Sequence, residues 1–80
     1  MNTKAYVLIE TRVGMTSEVA QALAKLPGVK NVDMVTGLYD IMVLAEGSDL
    51  DAIGSLVTGR IRLITGVART ITCLVLSESI

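Results

Sequence analysis

Two short stretches of this chain repeat one another. Leu26-Pro27-Gly28-Val29 and Ile64-Thr65-Gly66-Val67 each lead from the last apolar residue of a helical pattern, through a glycine suited to a helix C-terminus, into a β-forming run. A strand-like run and then a helical pattern precede each stretch, so both halves of the chain read strand, helix, strand. Joining two such halves by a hairpin, with right-handed crossovers, leaves few topologies open. The economical one is an α+β sandwich of ferredoxin-like βαββαβ order, with one antiparallel sheet and both helices on one face.

The elements follow from local patterns. Ala5 to Thr11 is rich in β-formers and closes at Val13-Gly14. Thr16 or Ser17 is expected to cap the first helix, on which Val19, Leu23 and Leu26 recur at helical spacing. Val29 to Thr36 reads as a second strand whose Lys30, Asn31 and Asp33 give it the polarity of an exposed edge. Thr36-Gly37-Leu38 forms a turn, and Tyr39 to Ala45, apolar on both alternating faces, is predicted to be central. Ser48-Asp49-Leu50-Asp51 reads as a capping box with Ser48 accepting, followed by the apolar stripe Leu50, Ile53, Val57, Ile61 and Ile64. Val67 to Leu76 completes the pattern as a fourth strand.

An 80-residue chain supports one core, so residues 1–80 are expected to form a single domain. A chain of that size buries only about 60% of its unfolded surface, yet 51% of its residues are apolar. Because the helices cover one sheet face, the other is expected to leave Met42, Leu44, Leu74 and Leu76, or their opposites, uncovered. Self-association through that face is the natural remedy. No apolar run is long enough for a bilayer, and the N-terminal residues lack signal-peptide order. The net charge is −1, with 7 basic and 8 acidic residues, and the basic ones are scattered. Direct nucleic-acid binding is therefore disfavoured. A lone Cys73 points to a reducing compartment, and the cytoplasm fits best.

The residue inventory argues against an enzyme. Histidine is absent and Cys73 has no imidazole to activate it, so nucleophilic and His-based acid–base mechanisms lack their parts. No metal-ligand pattern and no cofactor motif is present. Glu10 and Glu46 read as solvated charge. One constellation remains, Thr36-Gly37-Leu38-Tyr39-Asp40. A glycine turn that leaves amides facing outward suits a ligand carboxylate, and a nearby aspartate suits an ammonium group. On local sequence alone, a hairpin in which Asp40 accepts from neighbouring amides explains the same residues more simply.

Val32-x-x-Val35-Thr36-Gly37-x-Tyr39-Asp40, a capped helix, and Gly66-Val67-x-Arg69-Thr70-x-Thr72 together resemble the effector-binding (RAM) domain of the Lrp/AsnC family across essentially the whole chain. The resemblance implies a ferredoxin-like fold of the dimeric α/β-barrel type, dimerising through its sheets, with dimers assembling into octamers or decamers. It implies an amino-acid-like effector bound between dimers, lined by Gly37, Leu38, Tyr39 and Asp40, with Thr70 and Thr72 in or near the same interface. Asp40 would receive the effector's amino group. Leu38 departs from the acidic residue many members carry there. The DNA-binding helix-turn-helix of the full-length regulators is absent from this sequence, so the resemblance implies a stand-alone form that senses a metabolite or modulates a full-length relative. Two rivals share the fold: an ACT-like regulatory module with its ligand near Val13-Gly14-Met15, and a small dimeric α/β-barrel enzyme.

Overall fold

A computed structural model describes residues 2–76. The order of elements is β1 (Thr3–Thr11), α1 (Thr16–Ala24), β2 (Val29–Met34), β3 (Ile41–Gly47), α2 (Leu50–Gly59), a 3-10 turn (Ile61–Leu63) and β4 (Val67–Leu74). The strands form one antiparallel sheet in the order β2-β3-β1-β4. This is the ferredoxin-like arrangement, with β3 central and the polar β2 at an edge, as the alternation of side chains predicts.

The core lies between the sheet and the helices. Ala5, Val7 and Ile9 on β1 stand beside Ala45, Val43 and Ile41 on β3, and all six are fully buried. Val19 and Leu23 of α1, Ile53, Leu56 and Val57 of α2, and Ile61 close over them. Each buried Val, Leu or Ile contributes about 1.5–3 kcal/mol by leaving water, which is why these apolar spacings fix the layer order.

The sequence repeat is also a repeat of geometry. Leu26 N–H donates to Leu23 O and Val29 N–H to Leu26 O; in the second half Ile64 N–H donates to Ile61 O and Val67 N–H to Ile64 O. Both glycines turn the chain with positive φ, +93° at Gly28 and +103° at Gly66. The carbonyl of Gly28 accepts from Glu46 N–H at 2.8 Å, and that of Gly66 from Arg12 N–H at 2.8 Å. The first half's turn is therefore fastened to β3, and the second half's turn to the residue that follows β1.

Several local expectations are corrected. Neither Thr16 nor Ser17 caps α1: Met15 holds the cap position without a side-chain bond, and Thr16 is already helical. The cap of α2 is Asp49, not Ser48; its Oδ1 accepts from Ala52 N–H at 2.8 Å, while its backbone is extended as a cap requires. The apolar stripe of α2 does not run on as α-helix, because the helix ends at Gly59 and a 3-10 turn carries Ile61 into the core. β3 starts at Ile41, since Tyr39 and Asp40 belong to the turn, and β4 stops at Leu74.

The open face is made differently from the simplest expectation. Ile71 lies opposite Leu8, and Cys73 opposite Tyr6, so these two β4 residues join Met42 and Leu44 there. Leu74 pairs with Ala5 and belongs to the helix side, where the edge position of β4 leaves it 43% exposed. Leu76 lies beyond β4 and is exposed.

Candidate ligand-binding site

The turn from Val35 to Asp40 joins β2 to β3 at one end of the sheet. Val35 N–H donates to Asp40 O at 2.9 Å, closing the loop, and Asp40 N–H donates to Ile9 O at 2.9 Å, tying it to β1. Gly37 has φ +135°, and a Cβ there would meet nothing within 4 Å. Glycine is thus required at this position by backbone conformation and not by crowding.

The Asp40 carboxylate is used asymmetrically. Its Oδ2 accepts from Thr11 N–H at 2.7 Å and from the Thr11 hydroxyl at 3.1 Å. The Thr11 and Thr16 hydroxyl oxygens are 2.7 Å apart. A carboxylate only accepts, so the order of donation runs from Thr16 to Thr11 to Asp40. The first residue of α1, the end of β1 and the turn are locked together by one chain of bonds. Neighbouring amides do not supply this anchor, as a simple hairpin would have them do; Thr11 does, from across the sheet.

What remains unused is an acceptor beside donors. Among the described residues, nothing donates to Asp40 Oδ1, and nothing accepts from the amides of Gly37, Leu38 or Tyr39. Leu38 is 87% exposed at the tip, while Tyr39 and Asp40 are half-buried. The neighbouring β1–α1 turn presents Val13, fully exposed, and Gly14 at φ +79°.

Thr70 and Thr72 sit elsewhere on the chain. They lie opposite Ile9 and Val7, so β1 stands between them and β3. Two strand spacings, roughly 10 Å, separate Thr70 from the turn. Thr72 borders an apolar groove of about 350 Å³ with Leu50, Ile53, Val57 and Leu74. Thr70 borders a polar cavity of about 290 Å³ with Arg62, Ala68 and Arg69. One chain therefore carries the six expected residues in two places. Sequence reading missed Thr11 and Thr16 as the supports of Asp40, and it missed the arginine-lined cavity. Nothing local signals the first, because Thr11 and Asp40 are 29 residues apart.

A sequence model of the Lrp/AsnC ligand binding domain matches residues 4–80. The chain belongs to the Lrp/AsnC family. Among curated relatives, an uncharacterised HTH-type transcriptional regulator of Pyrococcus furiosus is 37% identical over 75 residues, 90% of this chain and 50% of that protein. The chain thus spans about half the length of such regulators. It also matches the homocitrate synthase of Sulfurisphaera tokodaii, at 38% identity over 63 residues, covering 79% of this chain and 14% of the enzyme. The crystal structure of a Thermus thermophilus protein superposes with a TM-score of 0.91 at 35% identity, covering 96% of both chains. A Neisseria meningitidis transcriptional regulator, solved as its L-Met complex, superposes with a TM-score of 0.86 at 24% identity, covering 95% of this chain and 51% of that one; that likeness is one of fold. No described helix is long and apolar enough to cross a membrane.

Proposed function

We propose that this Lrp/AsnC domain is a non-catalytic, oligomerising sensor that binds a small molecule of the amino-acid class at the turn from Gly37 to Asp40. The observation that carries the reading is the unused polar set at that turn. Asp40 Oδ1 is an acceptor for an ammonium group, and the amides of Gly37, Leu38 and Tyr39 are donors for a carboxylate. Those are the two ends of an amino acid. The L-Met complex of the Neisseria regulator supports the same ligand class.

Oligomerisation completes the proposal. Tyr6, Met42 and Ile71 on the open face are 44%, 38% and 41% exposed, around Leu8, Leu44 and Cys73. A second copy laid on this face would remove them from water and form the dimer. Further assembly into an octamer or decamer brings Thr70 and Thr72 of one subunit toward the turn of another, and the shared site couples binding to assembly. The partial match to homocitrate synthase supports a portable regulatory unit, carried by regulators and by an enzyme alike. Such a unit modulates transcription by joining a full-length Lrp/AsnC regulator and does not contact DNA itself.

Isothermal titration against the amino acids, with native mass spectrometry of the same samples, tests the reading. The expected result is saturable binding of one or a few amino acids with a redistribution of oligomers. Gly37→Trp should abolish it and Gly14→Trp should leave it intact. An oligomer indifferent to every amino acid would refute the ligand class, and loss on Gly14→Trp alone would move the site to the ACT-like position.

A further inference from the structure

We infer that Thr16 is a positioning residue for the amino-acid site: acting through Thr11, it holds the Asp40 carboxylate in the orientation that offers Oδ1 to a ligand's ammonium group. The inference rests on the reading of the turn from Gly37 to Asp40 given above. Thr11 has a single hydroxyl hydrogen, and Asp40 Oδ2 accepts it at 3.1 Å. The Thr16 oxygen lies 2.7 Å from the Thr11 oxygen, so Thr16 is the donor there. A donor on one side of the Thr11 oxygen keeps its hydrogen aimed at the other side, and successive bonds in such a chain strengthen one another. Oδ2 also accepts from Thr11 N–H at 2.7 Å. Both bonds fall on the same oxygen, which fixes the carboxylate and leaves Oδ1 pointing one way.

Two further observations support this role. The first is the start of α1. Thr16 is of a type that caps helices well, yet it stands inside the helix with its hydroxyl on Thr11, while Met15 takes the cap position without a side-chain bond. The helix thus forgoes a bond it could have made, a departure from local preference expected where a residue is needed elsewhere. The second is the footing of Thr16. Met15 N–H donates to Arg12 O at 3.0 Å, Val19 N–H to Met15 O at 3.0 Å, and Arg12 N–H to Gly66 O at 2.8 Å. Val19 is fully buried, and it and Met15 close on Gly66 so tightly that a Cβ there would stand 2.9 Å from the one and 3.1 Å from the other. Thr16 is therefore carried by packed core, and the hydroxyl chain passes that rigidity to a turn at the surface. Support from groups that do not touch the ligand sets the precision of a binding site. Its loss should weaken the ammonium contact and spare the carboxylate contact, which uses the amides of Gly37, Leu38 and Tyr39.

Calorimetry of the full chain with each standard amino acid, and by displacement with the des-amino acid of the tightest binder, tests this. The des-amino acid keeps the carboxylate and the side chain and lacks the ammonium group. Thr16→Val should weaken the amino acid roughly fivefold and leave the des-amino acid unchanged. Thr16→Ser, which restores the hydroxyl, should return the affinity to that of the parent chain. If Thr16→Val fails to fold, Thr16→Ala removes the same hydroxyl and carries the same expectation. Equal weakening of both ligands, or undiminished amino-acid binding without the hydroxyl, would overturn the role of Thr16 and leave the site standing. A parent chain that binds no amino acid would overturn the site and this inference together.

Discussion

Asp40 Oδ2 sits 2.7 Å from the amide and 3.1 Å from the hydroxyl of Thr11, so a single carboxylate oxygen pins the β2–β3 turn to the end of β1. The two oxygens of Asp40 thereby have separate roles, one holding the turn in place and the other left for a ligand. Hydrogen bonds to a charged group contribute about 1.5–3 kcal/mol. Asp40→Ala should therefore destabilise the fold by about 2 kcal/mol. Asp40→Asn keeps an acceptor oxygen and should cost less. Both should lose amino-acid binding, since the amide cannot neutralise an ammonium group. Urea denaturation beside calorimetric titration separates the two effects.

Thr11→Val removes both hydroxyl bonds, the one donated to Asp40 and the one accepted from Thr16, and keeps the amide bond. The expected cost is about 1 kcal/mol. Because one of the lost bonds ends on Asp40, the cost should shrink when Asp40 is already alanine, and a double-mutant cycle reads that coupling directly. Additive losses would mean that the hydroxyl bond contributes little.

Gly66 is both conformationally and sterically constrained. Its φ is +103°, and a Cβ there would stand 2.9 Å from Val19 Cγ2 and 3.1 Å from Met15 Cβ. Gly66→Ala should lower unfolding free energy by about 2–3 kcal/mol, combining a left-handed backbone with overpacking. Gly37→Ala, strained in backbone only, should cost less in the same denaturant series.

The cap of α2 offers a contrast between adjacent residues. Asp49→Ala removes the bond to Ala52 N–H and should cost about 1 kcal/mol. Ser48→Ala should change stability by no more than about 0.5 kcal/mol, as is usual for a surface position. Thermal unfolding of the two variants side by side is sufficient.

Charge on the open sheet face should prevent self-association while sparing the subunit. Met42→Glu and Ile71→Glu alter side chains already partly in water, so circular dichroism should be nearly unchanged. Sedimentation should show the shift to a smaller species, because a dimer would have to bury the new carboxylates.

Side-chain patterning made most of this fold readable: apolar residues on both faces, Ile41, Val43 and Ala45 on one and Met42 and Leu44 on the other, placed β3 at the centre, and Lys30, Asn31 and Asp33 placed β2 at the edge. It failed where neighbours in sequence compete for one role. Ser48 and Asp49 are both good caps, and only the extended backbone at Asp49 decides between them. The face taken by Leu74 depends on the β1–β4 register, which alternation within one strand cannot supply. The site was half legible. Gly37 and Asp40 announce a turn with charge beside it, but the partner that orients Asp40 comes from Thr11, 29 residues away on another strand.

The crossed fastening of the two halves has a consequence for how the molecule comes apart. The amides of Arg12 and Glu46 are each held by a carbonyl of the opposite half, at Gly66 and Gly28. Either half's turn loosens only by giving up its bond to the other half, so the repeated unit is expected to open as part of the whole sheet and not by itself. These two amides should exchange with solvent deuterium only at the rate of whole-molecule unfolding, and together, as the two ends of one clasp.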